Sequence, residues 1–194
     1  MGNHTGNAPV GPRRVDPLAG LMEGVCFSPS PHCDARPPGT AIDLLVIHGI
    51  SLPPGEFGGP WIEQLFLGSL PLAAHPYFRR IANPRVASHL LIRRDGELRQ
   101  FVPFTRRAWH AGVSAFEGRA ACNDFSIGIE LEGTDHVAYT DPQYAELARI
   151  SRALMHAYPG ITPARIVGHA DIAPGRKTDP GPAFDWARLR AELA

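Results

Sequence analysis

The chain has 194 residues, with 19 Lys+Arg against 19 Asp+Glu and a formal net charge of zero. That length suits one domain around one sizeable core, and the balanced charge supplies no overall field that would select nucleic acid or a membrane surface. No apolar run is long enough to span a bilayer.

Residues 1–20 are rich in Gly and Pro, lack the apolar core of a secretory signal, and read as a flexible tail before a domain over 21–194. The cysteines, Cys26, Cys33 and Cys122, read as free thiols of a reducing cytoplasm; a Cys26–Cys33 pair is open but not required. Prolines punctuate residues 25–40, an arm expected to lack regular structure. Residues 43–48 are a continuous apolar run ending in His48, expected as a strand buried on both faces. A Pro/Gly loop over 51–59 precedes helical spacing at Trp61, Ile62, Leu65 and Phe66. His75 is expected in a loop before Pro76. The stretch from Arg79 to Arg107 is rich in arginine and reads equally as a solvated surface or an anion-binding patch.

Residues 88–94 and 97–102 are expected to pair as a hairpin about Asp95-Gly96, and Trp109 to Gly112 to form a loop. In 125–132, Ile127, Ile129 and Leu131 alternate with Gly128, Glu130 and Glu132, so the two sets face opposite sides of a strand. The longest helix is expected from an N-cap at Asp141, with Pro142 at its first position. Its inner stripe runs from Tyr144 through Leu147, Ala148, Ser151, Leu154 and Met155 to Tyr158, and Pro159-Gly160 ends it. A short strand over 165–168 leads into His169, a Pro-rich loop follows, and a final helix covers about 184–193. The interleaving predicts an α/β domain: a mixed central sheet covered by helices.

His48 and His169 each follow a predicted buried strand, and Asp179 lies ten positions beyond His169 across a Gly/Pro loop. Two imidazoles and a carboxylate leave a tetrahedral zinc one open position, the mark of a catalytic site. By spacing alone, the same residues also read as hydrogen-bonded core histidines and a helix cap. Glu130 and Glu132 share a strand face, where a carboxylate near the metal could take up and deliver a proton, or simply face solvent. As paired carboxylates about 6.5–7 Å apart they would also suit an inverting glycosidase. Lys177, two residues before Asp179, would be held near the metal and could stabilise an oxyanion. Trp109 is a stacking platform or a core plug, and His89 a supporting partner or a packed residue. A Cys122–His110 nucleophilic pair lacks an evident orienting third group.

Longer motifs carry a resemblance. They are LLVIHGISLPPGEFG from Leu44, LIRRDGE from Leu91, RAWHAGVS from Arg107, CNDFSIGIELEGTD from Cys122 and GHADIAPGRKTDPGP from Gly168. Together they resemble the AmpD-type N-acetylmuramoyl-L-alanine amidases, from about Gly24 to the C-terminus. The resemblance implies an amidase/peptidoglycan-recognition-like fold and zinc held by His48, His169 and Asp179. It implies Glu130 as the proton-handling carboxylate, preferred to Glu132 by family position alone, and Lys177 as the oxyanion partner. It also implies the substrate, a 1,6-anhydro-N-acetylmuramyl peptide cut between lactyl group and L-alanine during wall recycling, and a link to β-lactamase induction. Trp109, Arg85 and Arg176 are expected as substrate contacts. No nucleic acid, membrane or obligate protein partner is expected, and the expected location is the cytoplasm. The alternative from a different class is a peptidoglycan-binding module without catalysis, which characteristically lacks one ligand. The sequence departs from the family pattern at Gly49, where Asn is expected, and at Leu90, where Cys is frequent.

Overall fold

The computed structural model describes residues 11–81 and 85–194. The first half of the chain forms β1 (Val15–Asp16), β2 (Leu21–Met22), β3 (Cys26–Phe27), β4 (Cys33–Ala35) and β5 (Leu44–Ile50), then α1 (Trp61–Phe66) and α2 (Pro76–Arg80). Next come β6 (Leu90–Ile92), β7 (Leu98–Gln100), β8 (Arg106–Ala108), β9 (Ala115–Phe116), β10 (Arg119–Ala120) and β11 (Ser126–Glu132). The chain closes with α3 (Asp141–Ala157), β12 (Ile166–Gly168), α4 (His169–Ile172) and α5 (Trp186–Leu193).

Six strands make the central sheet in the order β12-β5-β11-β6-β7-β3. β12, β5, β11 and β6 run parallel, and β7 returns antiparallel to β6. This is the mixed sheet that the interleaved pattern predicts. β5 is central because Leu44 to Ile47 offer no polar side chain to either face, and all four are fully buried. Burying each such side chain contributes roughly 2 kcal/mol, so the strand has no stable place at an edge.

Alternation assigns the two faces. Leu45, Ile47, Ile127, Ile129 and Leu131 pack against Tyr144, Leu147, Ala148 and Leu154 of α3 and Leu189 of α5. On the other face, Leu91 packs with α1 and α2 through Ile62, Phe66 and Phe78. Beside them, Leu44 and Val46 pack with Ala111, Cys122, Phe125 and Ile172. His48 and Glu130 emerge on this second face, between its two apolar clusters.

Several elements differ from the sequence reading. The N-cap of α3 is Thr140, not Asp141: the Gln143 amide donates to Thr140 Oγ1 while Gln143 Oε1 accepts from the Thr140 amide. This reciprocal capping box satisfies two otherwise orphaned donors and so starts the helix one residue earlier. The arm over 25–40 contains β3, which extends the main sheet, and β4, which pairs with β8. His75 caps α2, its ring accepting from the Tyr77 amide. Residues 1–10 of the expected tail lie outside the described residues. Within 11–20, β1 pairs with β2 and Arg13 forms an ion pair with Glu146 of α3 at 2.6 Å. Cys26, Cys33 and Cys122 are all free thiols. Among the described residues, no helix is long and apolar enough to cross a membrane.

Candidate active site

Open α/β sheets bind ligands beyond the carboxyl ends of their parallel strands, and the polar residues of this sheet gather there. In the β5–β11 register Glu130 lies directly opposite His48, and in β12–β5 Gly168 lies opposite Ile47. His169, next in the chain, is therefore level with His48. Asp171 holds the start of α4 by accepting from the Gly168 amide at 2.7 Å. The loop after α4 folds back on itself: the Ala170 amide donates to the Asp179 carbonyl at 2.9 Å. Buried Tyr139 clamps the same loop, its hydroxyl donating to the Pro180 carbonyl at 3.0 Å. Asp179 is thereby returned to the two histidines across ten residues.

Three ligand-type atoms converge. His48 Nδ1 lies 2.9 Å from His169 Nδ1 and 3.2 Å from Asp179 Oδ2, and His169 Nδ1 lies 3.1 Å from the same oxygen. A tetrahedral metal with bonds of about 2.0–2.1 Å separates its donors by roughly 3.3 Å, close to this triangle. His169 Nε2 faces the Ala111 carbonyl at 3.1 Å. A carbonyl only accepts, so His169 Nε2 carries a proton and donates it there, which leaves Nδ1 as the ring nitrogen available to a metal. Burial pushes the His48 pKa down to about 4, against the opposing pull of Asp179. Burial works to raise Asp179, but the facing His169 and His48 outweigh it and hold the carboxylate well below its usual range. The neutral imidazole of His48 and the ionised carboxylate of Asp179 are the forms a metal takes. His48, His169 and Asp179 thus form a possible metal-binding group.

A cavity of about 630 Å³ opens onto this group, and Glu130, Lys177, Tyr77, Asp135 and His136 also line it. Glu130 Oε2 is shut off from solvent and has no hydrogen-bond partner among the described residues. Burial raises the Glu130 pKa well above the carboxylate range, Asp179 adds to the rise and Lys177 opposes it. A carboxyl with one buried, unpartnered oxygen beside a possible metal-binding group and Lys177 is suited to moving a proton.

Glu132, on the same strand face, is differently occupied. It is 1 % exposed, pairs with Arg93 at 3.2 Å and accepts from the Gly58 and Arg94 amides. It does not line the cavity. A glycosidase pair of Glu130 and Glu132 is therefore not what the structure builds. The Cys122–His110 pair fails similarly, because the ring nitrogens of His110 face His48 and Ser126.

The expected substrate contacts are dispersed. Trp109 lies off the cavity, with its indole N–H donating to Asp34 at 3.1 Å. Arg176 spends its guanidinium on the Ala111 and Val113 carbonyls, tying down the loop that begins at Trp109. Arg85 is exposed and precedes Val86 and Ala87, which line the cavity. His89 is a supporting residue: its ring accepts from the Gly128 amide and faces the Arg106 carbonyl. Sequence reasoning missed Arg36, whose guanidinium donates to carbonyls of Phe104, Asn123, Asp124 and Ser126. It thereby holds the entry to β11. An arginine in a Pro-rich arm carries no signal of that contact. The contact of His110 with His48 was missed too, although Gly128 on the facing strand marks the space for a ring.

The fold and the site define a hydrolase-type α/β domain with a possible metal centre, and the N-acetylmuramoyl-L-alanine amidase family model matches residues 38–182. The chain belongs to that family. It is 63% identical over 171 residues to 1,6-anhydro-N-acetylmuramyl-L-alanine amidase AmpD of Escherichia coli K12, covering 88% of this chain and 93% of the relative. A crystal structure of a Se-Met AmpD derivative superposes with a TM-score of 0.88 at 60% identity, covering 91% of this chain and 98% of that one. The E. coli amidase AmiD, in complex with anhydro-N-acetylmuramic acid-L-Ala-D-gamma-Glu-L-Lys, gives a TM-score of 0.57 at 29% identity. That match covers 81% of this chain and 60% of AmiD.

Proposed function

We propose that this chain is a zinc-dependent amidase of peptidoglycan recycling. It hydrolyses the amide between the lactyl group of 1,6-anhydro-N-acetylmuramic acid and the L-alanine of a muropeptide. One observation carries the reading: Glu130, whose Oε2 has no partner among the described residues, shares a cavity with the His48–His169–Asp179 triangle and with Lys177. A binding module that lacks a ligand would not present all three.

Zinc suits two imidazoles and one carboxylate, and when bound it supplies Lewis acidity and a water that ionises near neutral pH. Glu130 takes the proton of the attacking water and returns it to the departing L-Ala nitrogen. Its raised pKa suits the return of the proton, while Lys177, and a bound cation beside it, would favour the ionised form that accepts it. The Lys177 ammonium, on the cavity wall, offsets the negative charge that develops on the lactyl carbonyl oxygen. Because that charge exists only after attack, the lysine serves kcat more than KM. Exposed Arg85, next in the chain to the cavity-lining Val86 and Ala87, is the proposed partner of a stem-peptide carboxylate. The cytoplasm is the proposed location, since three free thiols suit a reducing compartment. The domain proper is taken as 21–194.

The test compares a soluble anhydro-muropeptide, its reducing-sugar counterpart and purified sacculi, with products identified by mass spectrometry. The reading requires a free L-Ala amine and higher kcat/KM on the anhydro compound. Equal turnover of sacculi would overturn the recycling role, and a new reducing sugar end would overturn the amidase assignment.

A further inference from the structure

We infer that His110 is a positioning residue that fixes the tautomer and plane of the His48 ring and so sets the affinity of the triangle for zinc. The inference rests on the zinc reading above. His110 is not itself a ligand, because its Nδ1 faces the far side of His48: Nε2 of His48 lies 2.9 Å from His110 Nδ1. The rings meet edge-on, with 87° between planes and 5.0 Å between centroids. His110 Nε2 in turn lies 3.1 Å from Ser126 Oγ, on a fully buried residue.

The fold holds this ring from three sides. Asn123 Oδ1 accepts from the amides of His110 and Ala111, at 3.2 and 2.8 Å, fixing the backbone. Ser126 bonds the outer nitrogen. On β11, Gly128 leaves the floor open, since a Cβ there would stand 2.5 Å from His110 Cγ. Only glycine lets the ring lie on the strand.

The protons along this chain can be placed in two ways. In one, His48 carries its proton on Nε2 and donates to His110 Nδ1, and His110 donates from Nε2 to Ser126 Oγ. The Nδ1 lone pair of His48 then points to His169 and Asp179, ready for a metal. In the other, Ser126 donates to His110, His110 donates to His48 Nε2, and the His48 proton lies on Nδ1 against Asp179, where it blocks the metal. Zinc binding selects the first arrangement. His110 makes it accessible by providing an acceptor for a buried N–H that has no other among the described residues. Without that acceptor, an unsatisfied buried donor penalises the ligating tautomer, and supporting hydrogen bonds of this kind are worth about 10–100-fold in metal affinity.

Zinc affinity is measured on the full chain by competition with a chromophoric chelator. His110→Leu keeps apolar bulk but no acceptor, and is expected to bind zinc about 10–100-fold more weakly. His110→Asn places Oδ1 where Nδ1 stood and is expected to recover most of that loss. Nitrogen-15 shifts of the zinc-loaded wild type provide a readout without substitution: His110 should carry its proton on Nε2, with Nδ1 coupled across the hydrogen bond to the His48 N–H. Wild-type affinity in His110→Leu, or a His110 proton on Nδ1 in the zinc form, overturns the inference. Should His110→Leu fail to fold, the wild-type shifts decide alone. Failure of the wild type to bind zinc would remove the metal reading itself, a result distinct from an indifferent position 110.

Discussion

At Glu130 the fold and the chemistry pull in opposite directions. Glu130 Oε2 is shut off from solvent without a hydrogen-bond partner among the described residues, and the carboxyl's pKa is raised, so the folded state holds a proton that the unfolded chain releases above about pH 4.5. In the metal-free protein this group's contribution to stability is therefore lost as pH rises from that point through the raised folded value. Glu130→Gln removes the titration. The variant should retain zinc, lose turnover by about 10²-fold or more, and in metal-free form be more stable than wild type at neutral pH, with the gap widening as pH rises. Denaturant unfolding at several pH values, beside a turnover assay, checks both. Full turnover in the variant would reassign the proton transfer. The sequence made His48, His169 and Glu130 visible because strand ends and period-2 alternation place them. It could not separate Glu130 from Glu132, since both share a face; the partners that distinguish them, Arg93 and the Gly58 amide, come from distant segments.

Among elements, the loop from α4 to α5 depends most on its neighbours. It carries Asp179 and Lys177, and Tyr139 pins it through the Pro180 carbonyl. A Cβ at Gly49 would overlap the Tyr139 hydroxyl, so the residue after the first ligand has a packing reason to be small. Gly49→Ala should displace Tyr139, loosen Asp179 and weaken zinc binding by on the order of tenfold. Chelator competition measures this, and unchanged affinity would show that the loop holds Asp179 without Tyr139. The long elements, β5, β11 and α3, were legible because each repeats its pattern over several residues. β3, β4 and β8 were not, because strands of two or three residues have no period and form only where a distant partner passes.

For the molecule as a whole, the metal should couple to folding. A ligand that binds only the native state at 100 times its Kd stabilises it by about 2.7 kcal/mol, and here the three donors come from β5, α4 and the loop beyond. Zinc should therefore raise the thermal midpoint of the wild type, and Asp179→Ala should show no such rise. A full zinc-dependent rise in that variant would remove Asp179 from the ligand set. The α/β class followed from the alternation of apolar strands and helices alone. The convergence of the site did not, because it depends on register: His48 opposite Glu130, and Gly168 opposite Ile47.

The central claim is that water attacks the lactyl carbonyl of an anhydro-muropeptide. Hydrolysis by the zinc-loaded protein in ¹⁸O-enriched water, with mass spectrometry of both products, tests it most directly. The account predicts one labelled oxygen in the new lactyl carboxylate of the sugar product and none in the peptide, whose L-Ala amine is freed. Label on the sugar ring, or in a carboxylate of the released peptide, would contradict it.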